Sequence, residues 1–367
     1  MVKIGLVGTG MLGEAVGLHL LESGHSLTAY NRTKSKTVNL EKNGSVIADT
    51  PKNVAESSEL VITCVKDADA VEQILFGQNG IVAGKHDGLT VADMSTINPS
   101  SAINFSKKLH EEGIDSLEIP VMGGPNVAIH GQLVLMASGN KDVFEAYKQV
   151  FDTIANKTFF LGKSGSAHSI KIAMNLQISL LALALSEGIM LTRKAGFDPE
   201  KFLEILNSTY FKTGMSENKA HRMIKDEFEP TFTLKNLQKD LGIITEAAKD
   251  FGAVLPMAER ANEIYRDAVD AGFGEIDYTG ILAYIKNYLK TDFTVKVLKP
   301  KKIMIGMGVT CRGICDQFRV KIATKQPKYA TGHKRCTLCA AYFVTPESRC
   351  PCCKMKLRTR ARSKIRI

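Results

Sequence analysis

Three glycines near the start of the chain are spaced for binding a phosphate group. They lie in a turn that consists of Gly8, Thr9, Gly10, Met11, Leu12 and Gly13. The turn follows an apolar run at 2–7 and precedes apolar side chains at helical spacing. Gly8 permits the tight turn, Gly10 lets backbone approach a pyrophosphate, and Gly13 lets the helix pack on the strand. Because a helix N-terminus offers free N–H groups to anions, the turn predicts a dinucleotide site.

Basic side chains follow the second predicted strand, at 26–30. They belong to the segment Asn31, Arg32, Thr33, with Lys34 and Lys36 close by. An acid at this point usually binds the ribose 2′-hydroxyl of NAD, whereas a guanidinium can bind the 2′-phosphate of NADP. We therefore expect NADP(H) to be preferred over NAD(H). The alternative is that these are solvated charges at a helix start.

Two C-x-x-C pairs near the C-terminus are spaced for a metal. They are formed by Cys336, Cys339, Cys350 and Cys353. Four thiolates close the tetrahedral shell of Zn²⁺, and a metal would stabilise a segment too short to fold well on its apolar content. The spacing predicts a structural zinc ribbon. The remaining Cys311, Cys315 and Cys352 could bind a second metal with His333, but we favour buried or spare thiols.

The charge of the chain is unevenly distributed. The net charge is +10 overall, but residues 291–367 carry 19 Lys and Arg against 3 acids, a net of +16, which leaves −6 for residues 1–290. The asymmetry indicates two modules with different partners. Nucleic-acid binding by the basic tail is one alternative, and protein contact or structural capping is the other. Few aromatic residues accompany the charge, so base recognition is not indicated.

Further strand patterns at 59–65 and 89–94, separated by helical stretches, predict a doubly wound parallel sheet. Ligands of such sheets bind beyond the carboxyl ends of the strands. Val65 and Lys66 follow one strand, and Ser95 and Thr96 follow the other, so we expect cofactor and substrate to meet there.

Three further motifs make residues 1–290 resemble the β-hydroxyacid dehydrogenase family, which includes 3-hydroxyisobutyrate dehydrogenase and glyoxylate and succinic semialdehyde reductases. The segment 93–99 is similar to the family's D-x-S-T-x-x-P loop, and 120–125 to its substrate-binding P-V-S-G-G stretch. Residues 162–175 are similar to its catalytic G-x-G…K-x-x-x-N signature, and Lys239-Asp240 matches an element near the nicotinamide.

The resemblance implies a domain order and an assembly. We expect an NADP-binding Rossmann domain at 1–164, an all-helical substrate and dimerisation domain at 165–290 that begins with a long central helix, a basic linker at 291–305 and the zinc module at 306–367. A homodimer or homotetramer is expected. Residues 170–191 are apolar but interrupted by polar side chains, which favours a buried helix over a membrane span. Since no signal peptide pattern opens the sequence, we expect a cytoplasmic protein.

Lys171 and Asn175 are the predicted catalytic pair. At i and i+4 they project from one face of a helix. An ammonium beside a carbonyl oxygen stabilises the negative charge that hydride addition leaves there and then donates a proton, while Asn175 orients the lysine or the substrate. We expect an NADP-dependent oxidoreductase that interconverts a small β-hydroxy acid and its aldehyde. The alternative is a nucleic-acid-associated protein that uses this body as an oligomeric scaffold.

The predicted substrate site includes Ser95, Thr96, Met122, Gly123 and Gly124, and Thr96 and Lys239 are also expected to contact the cofactor. Backbone N–H groups of the glycine pair could bind a carboxylate. Met122 stands where the family usually has serine, which removes a hydroxyl donor and adds apolar bulk. Substrate identity therefore stays open.

Overall fold

The computed structural model of the chain describes residues 2–288, 333–336, 341–350 and 355–359. The chain divides into two compact units, Met1–Asp292 and Phe293–Ile367. The predicted linker at 291–305 lies outside the described residues.

The first unit contains a sheet with the strand order β3-β2-β1-β4-β5-β6-β8-β7, and β9 pairs with β8. Its strands are β1 (Lys3–Val7), β2 (Ser26–Tyr30), β3 (Val46–Ile47), β4 (Leu60–Thr63), β5 (Thr90–Asp93), β6 (Asp115–Glu118), β7 (Val121–Met122), β8 (Leu133–Gly139) and β9 (Ala155–Phe160). The strands from β3 to β6 are parallel, whereas β8 runs antiparallel to β6 and β7.

The central strands are buried on both faces, as expected for a parallel sheet. On β4, Ile62 packs in the hydrophobic cluster on one face and Val61 in the cluster on the other. The strand order reverses at β1, which pairs with both β2 and β4. A crevice at the carboxyl ends of these strands is where such sheets bind ligands.

Helices cover this sheet and form a second layer after it. They are α1 (Met11–Glu22), α2 (Val38–Lys42), α3 (Pro51–Glu56), α4 (Ala68–Phe76), α5 (Pro99–Glu111), α6 (Pro125–Ala128), α7 (Lys141–Ala146), α8 (Lys148–Ile154), α9 (Ser166–Lys194), α10 (Pro199–Asn207), α11 (Gly214–Asn218), α12 (Ala220–Ile224), α13 (Leu234–Asp250), α14 (Pro256–Ala268) and α15 (Ile281–Tyr288). The structure confirms the predicted Rossmann-type sheet followed by a helical region.

Helix α9 is the long central helix, and its 29 residues span about 44 Å. It packs against α10, α13, α14 and α15, and its first turns contact α5 and β8. Within the described part of the chain, it is the one helix that could cross a membrane by length and composition. It also contacts α11 and α12, so helices of the same unit surround it along its length.

In the second unit, β10 (Lys334–Cys336) and β11 (Ala341–Phe343) form an antiparallel hairpin. Cys336 and Cys350 are fully buried in a small cluster with Phe343 and Leu357. The other two predicted zinc ligands, Cys339 and Cys353, lie outside the described residues, as do Cys311, Cys315 and Cys352. The described residues contain no group of three or more potential metal ligands.

Candidate active site

The glycine turn joins β1 to α1, and two of its glycines are required by close backbone contacts. Gly8 has a φ of +103°, and a Cβ there would lie 2.2 Å from the carbonyl oxygen of Cys64. A Cβ on Gly13 would lie 2.1 Å from the carbonyl oxygen of Gly8. Both positions therefore exclude a side chain, which fixes the approach of the first helix to the sheet.

Gly10 has a different surrounding. It is the N-cap of α1, and a Cβ built on it would meet nothing within 4 Å. The N–H groups of the first helical turn, which lack acceptors within the helix, lie beside this open space. A phosphate fits here, because the backbone is accessible and the positive end of the helix dipole favours an anion.

Thr9 and Asn31 shape the turn from within. The backbone N–H of Thr9 donates to Asn31 Oδ1 at 3.2 Å, and Thr9 Oγ1 donates to the carbonyl oxygen of Lys36 at 2.8 Å. Asn31 Nδ2 donates to the carbonyl oxygen of Thr33 at 2.9 Å. These bonds tie the glycine turn to the loop that follows β2, so both predicted cofactor residues hold the backbone in place.

The basic residues after β2 have unequal surroundings. Arg32 is exposed and forms no ion pair with any residue that the structure describes. Lys34 pairs with Asp49, with Nζ 2.8 Å from Oδ1, and both side chains are about 80% exposed. Sequence reasoning missed Asp49 because it lies 15 residues further along the chain. Arg32 and Lys36 are thus the cations of this segment that form no ion pair within the described part of the chain, and Arg32 is the nearer of the two in sequence to the end of β2.

The loops after β4 and β5 are bonded to each other. Ser95 Oγ accepts the N–H of Val65 at 3.0 Å, and the N–H of Ser95 donates to Asp93 Oδ1 at 3.1 Å. The same carboxylate oxygen accepts Thr63 Oγ1 at 2.6 Å. Ser95, predicted to bind substrate, is only 2% exposed, and its hydroxyl is engaged in joining the two loops. Thr96, the next residue, is half-buried.

Lys239 of α13 fastens the helical region to these loops. Its Nζ donates to the carbonyl oxygen of Lys66 at 2.8 Å and to that of Thr96 at 3.2 Å. It also lies 2.6 Å from Asp240 Oδ1. Val65, Lys66, Thr96 and Lys239, which the sequence predicts as cofactor contacts, therefore meet at one edge of the sheet.

Lys171 of α9 contacts the two residues that precede the glycine pair Gly123-Gly124. Its Nζ donates to the carbonyl oxygen of Val121 at 2.8 Å and lies 3.4 Å from Met122 Sδ. Burial lowers the pKa of Lys171 from 10.5 to about 8, an effect that Asp240 opposes and Lys239 reinforces. A lysine with this pKa can both donate and accept a proton near neutral pH.

Asn175 lies one turn beyond Lys171 and is bonded to α13. Its Nδ2 donates to Asp240 Oδ2 at 2.6 Å. Its Oδ1 is buried and accepts no hydrogen bond from any residue that the structure describes. This oxygen is an acceptor for a ligand hydroxyl or amide beside Lys171. The sequence indicated Asp240 only as the neighbour of Lys239, whereas in the structure it orients Asn175 through this hydrogen bond.

The second glycine pair closes the site on the side of Met122. Gly123 has a φ of +120°, and a Cβ there would lie 2.7 Å from Val127 Cγ2. Gly124 is the N-cap of α6, and a Cβ on it would come within 3.8 Å of Thr231. The structure thus brings the predicted substrate residues Met122, Gly123 and Gly124 next to Lys171, and places Thr231, which sequence reasoning missed, beside them.

Two known families match consecutive parts of the chain, which together cover residues 3–285 except for 163 and 164. Residues 3–162 match the family described as the NAD binding domain of 6-phosphogluconate dehydrogenase. Residues 165–285 match the family described as NAD-binding of NADP-dependent 3-hydroxyisobutyrate dehydrogenase. The matched residues include the glycine turn at 8–13, the glycine pair at 123–124, Lys171 and Lys239. They end before the cysteine-rich segment.

Proteins shorter than this chain match it over nearly their whole length. The 2-hydroxy-3-oxopropionate reductase of Escherichia coli (strain K12) is 30% identical over 283 residues, 77% of this chain and 96% of that protein. Glyoxylate/succinic semialdehyde reductase 1 of Arabidopsis thaliana is 28% identical over 285 residues, 78% of this chain and 99% of that protein. The crystal structure of a 3-hydroxyisobutyrate dehydrogenase from Salmonella typhimurium is similar with a TM-score of 0.71 and 25% identity, covering 77% of this chain and 100% of that one.

Alanine substitutions at Gly10 and Gly8 test two separate roles of the turn. Gly10 leaves room for the pyrophosphate, and Gly8 permits the close backbone packing. We expect Gly10→Ala to keep the wild-type Tm, because its Cβ enters open space, but to weaken NADPH binding, because the methyl group occupies the approach of the pyrophosphate. Gly8→Ala should lower the free energy of unfolding by about 1–3 kcal/mol through backbone strain. Thermal unfolding and fluorescence titration with NADPH measure both effects. Unchanged NADPH affinity in Gly10→Ala would contradict this assignment.

Proposed function

The chain belongs to the β-hydroxyacid dehydrogenase family and is an NAD(P)-dependent hydroxyacid dehydrogenase or reductase. We propose that it reduces a small aldehyde or semialdehyde with NADPH, using Lys171 as the proton donor. The observation that carries this proposal is the position of Lys171 Nζ, which is partly buried and 2.8 Å from the Val121 carbonyl oxygen. Bound NADPH would supply the hydride.

Lys171 would act on the oxygen of the substrate. In the reducing direction its ammonium faces the carbonyl oxygen, stabilises the developing negative charge and donates a proton to it. In the oxidising direction the neutral amine accepts that proton. Asn175, held by Asp240 at 2.6 Å, would keep its free Oδ1 directed toward the substrate hydroxyl or the cofactor amide.

The substrate would be a short acid that carries an aldehyde, similar to methylmalonate semialdehyde, glyoxylate or succinic semialdehyde. The backbone N–H groups of Gly123 and Gly124 support binding of its carboxylate. Met122 contacts Lys171 Nζ through sulfur at 3.4 Å, so the wall beside the reacting oxygen is apolar where a hydroxyl is usual in the family. This wall favours a substrate without a further polar group at that place.

The NADP preference rests on Arg32. It is exposed just after the carboxyl end of β2 and forms no ion pair with the residues that the structure describes. Its neighbour Asn31 is bonded to the glycine turn through the N–H of Thr9. Lys34 is already neutralised by Asp49. A 2′-phosphate would therefore be bound by the guanidinium.

The exposed apolar side chains of the helical region support a homo-oligomer. They include Ile170, Met174, Leu181 and Leu191 of α9, Phe197, Ile205 of α10, Tyr210 and Phe211. Such side chains are buried at subunit contacts in many proteins. Light scattering would show a dimer or tetramer in solution, and a monomeric mass at micromolar concentration would refute this proposal.

The C-terminal unit is proposed to bind one structural Zn²⁺ through Cys336, Cys339, Cys350 and Cys353. Burial of Cys336 and Cys350 in one cluster supports this, since thiolate ligands of structural zinc are enclosed.

The net charge of +16 over residues 291–367 favours a second candidate function, association with nucleic acid on a dehydrogenase scaffold. The presence of Lys171 in the site favours the enzyme.

Lys171→Ala tests the reaction. Purified protein should oxidise NADPH with at least one of glyoxylate, succinic semialdehyde, malonic semialdehyde and methylmalonate semialdehyde. We expect kcat of the variant to fall by about 10²–10⁴-fold, the usual contribution of a positioned proton donor. Lys163→Ala, in the turn before α9, is the matched control. Full activity of Lys171→Ala, or no NADPH oxidation together with salt-sensitive nucleic-acid binding, would overturn the proposal.

Arg32→Ala tests the choice of cofactor. Loss of a charged hydrogen-bond donor should raise the KM for NADPH by about 10- to 100-fold while the KM for NADH changes little. Lys42→Ala, a lysine at the end of α2, controls for the loss of surface charge. Wild-type kcat/KM that is higher with NADH than with NADPH would refute the role of Arg32.

Metal analysis tests the zinc site. We expect one zinc ion per chain, lost in Cys336→Ser because three thiolates bind the ion less tightly than four. Cys64→Ala, at the end of β4, should retain its zinc. Zinc-free protein with the same thermal unfolding of the C-terminal unit as the zinc-loaded protein would contradict a structural site.

A further inference from the structure

The start of α9 is capped by side chains from the sheet. Its N-cap is Gly165, which has no side chain and adopts a left-handed conformation with a φ of +90°. A side chain at this φ would be strained, and its Cβ would lie 2.7 Å from Ile103 Cδ1, so the position favours glycine and offers no capping side chain. The N–H groups of the first turn must therefore find acceptors elsewhere.

Glu118 and Ser138 supply those acceptors. They face each other across the antiparallel pair β6 and β8. Glu118 Oε1 accepts the N–H of Gly165 at 2.5 Å, and Ser138 Oγ accepts the N–H of Ala167 at 3.1 Å. Ser138 Oγ donates in turn to Glu118 Oε2 at 2.7 Å.

Glu118 and Ser138 are enclosed by protein. Burial strengthens their hydrogen bonds, and removing either side chain would leave buried N–H groups without an acceptor. Glu118 is 4% exposed and Ser138 is fully buried. A carboxylate at a helix N-terminus is stabilised by the helix dipole. His168, one turn further along α9, is also buried, and burial lowers its pKa, while Glu118 and Asp93 act in the opposite direction. No side-chain cation pairs with Glu118 among the residues that the structure describes; its partners there are the Gly165 N–H and the Ser138 hydroxyl.

The segment that begins at Glu118 meets α9 a second time. Three residues further on, the carbonyl oxygen of Val121 accepts Lys171 Nζ at 2.8 Å. Three residues of extended chain span about 10 Å, and the six helical residues from Gly165 to Lys171 rise about 9 Å. The strand segment therefore runs beside the first turns of the helix and contacts it at both ends.

Rotation of the helix is fixed by the same contacts. Ala167, Lys171 and Asn175 follow each other at i+4 spacing and share one face of α9. Lys171 Nζ donates to the carbonyl oxygen of Val121 and Asn175 Nδ2 donates to Asp240 Oδ2, so this face is turned toward β7 and α13. The bonds of Gly165 and Ala167 hold the start of the same helix against the sheet. A small rotation or slide of α9 would move the ammonium away from the substrate oxygen.

We propose that Glu118 is a positioning residue for the reaction, which fixes Lys171 Nζ by holding the N-terminus of α9 on the sheet. This inference rests on the proposed function of Lys171 as proton donor. Glu118 itself is bonded to backbone and to Ser138, and acts through the helix.

The experiment compares full-length wild type with Glu118→Ala, Glu118→Gln and Ser116→Ala. Ser116 is the matched control, because it lies on the same strand two residues before Glu118 and bonds Ser106 Oγ at 2.9 Å but no N–H of the first turn of α9. Ser106 still accepts the Ser164 hydroxyl at 3.2 Å when Ser116 is alanine. Two readouts are used: steady-state kinetics with NADPH and an aldehyde, and the pKa of Lys171 from competitive acetylation with acetic anhydride, followed by peptide mass spectrometry.

Glu118→Ala should lower kcat by about 10- to 100-fold, as a displacement of about 1 Å does, with NADPH affinity close to wild type. The pKa of Lys171 should move from about 8 toward 10.5, because a displaced lysine gains water. Glu118→Gln keeps an oxygen for the Gly165 N–H and should restore both values. Ser116→Ala should match wild type.

Wild-type kcat and an unshifted Lys171 pKa in Glu118→Ala would overturn the proposal. If that variant does not fold, Ser138→Ala is measured with the same two readouts. We expect kcat and the Lys171 pKa to shift in the same directions, and the absence of both shifts would contradict the inference. The acetylation measurement needs no turnover. Wild type that reduces no aldehyde would therefore refute the proposed function, while the pKa comparison still tests the positioning by Glu118.

Discussion

The attachment of α9 to the carboxyl edge of the sheet is the constraint on which the geometry of the site depends. A 29-residue helix leaves four N–H groups without helical partners at its start. Here two of them are bonded to Glu118 and Ser138, which lie on neighbouring strands. The position of Lys171 thus follows from the sheet, because the helix cannot turn or slide without breaking these buried bonds.

A second attachment comes from α13. Lys239 donates to the carbonyl oxygens that follow β4 and β5, and the adjacent Asp240 holds Asn175 of α9. The helical region is therefore bonded to the same sheet edge that carries the glycine turn. Lys171 lies between these contacts, and its burial there lowers its pKa to about 8. Position and proton affinity have one common origin.

Local patterns in the sequence predicted the sheet, the glycine turn and the face shared by Lys171 and Asn175. These features depend on residues close together in the chain, so spacing is enough to detect them. Bonds between distant residues could not be predicted in this way. The carboxylate of Glu118 lies 47 residues before Gly165, and the hydroxyl of Ser95 lies 30 residues beyond the Val65 N–H that it accepts. Only the folded sheet brings these partners together.

The central claim is that a desolvated Lys171 donates the proton. The most direct measurement is the pH dependence of kcat for NADPH-dependent aldehyde reduction. Since burial lowers the pKa of Lys171 to about 8 and the protonated form is the donor, kcat should be high below pH 8 and fall as pH rises through that value. A kcat that stays constant up to pH 10, as expected of an ordinary lysine or of no lysine at all, would contradict the account.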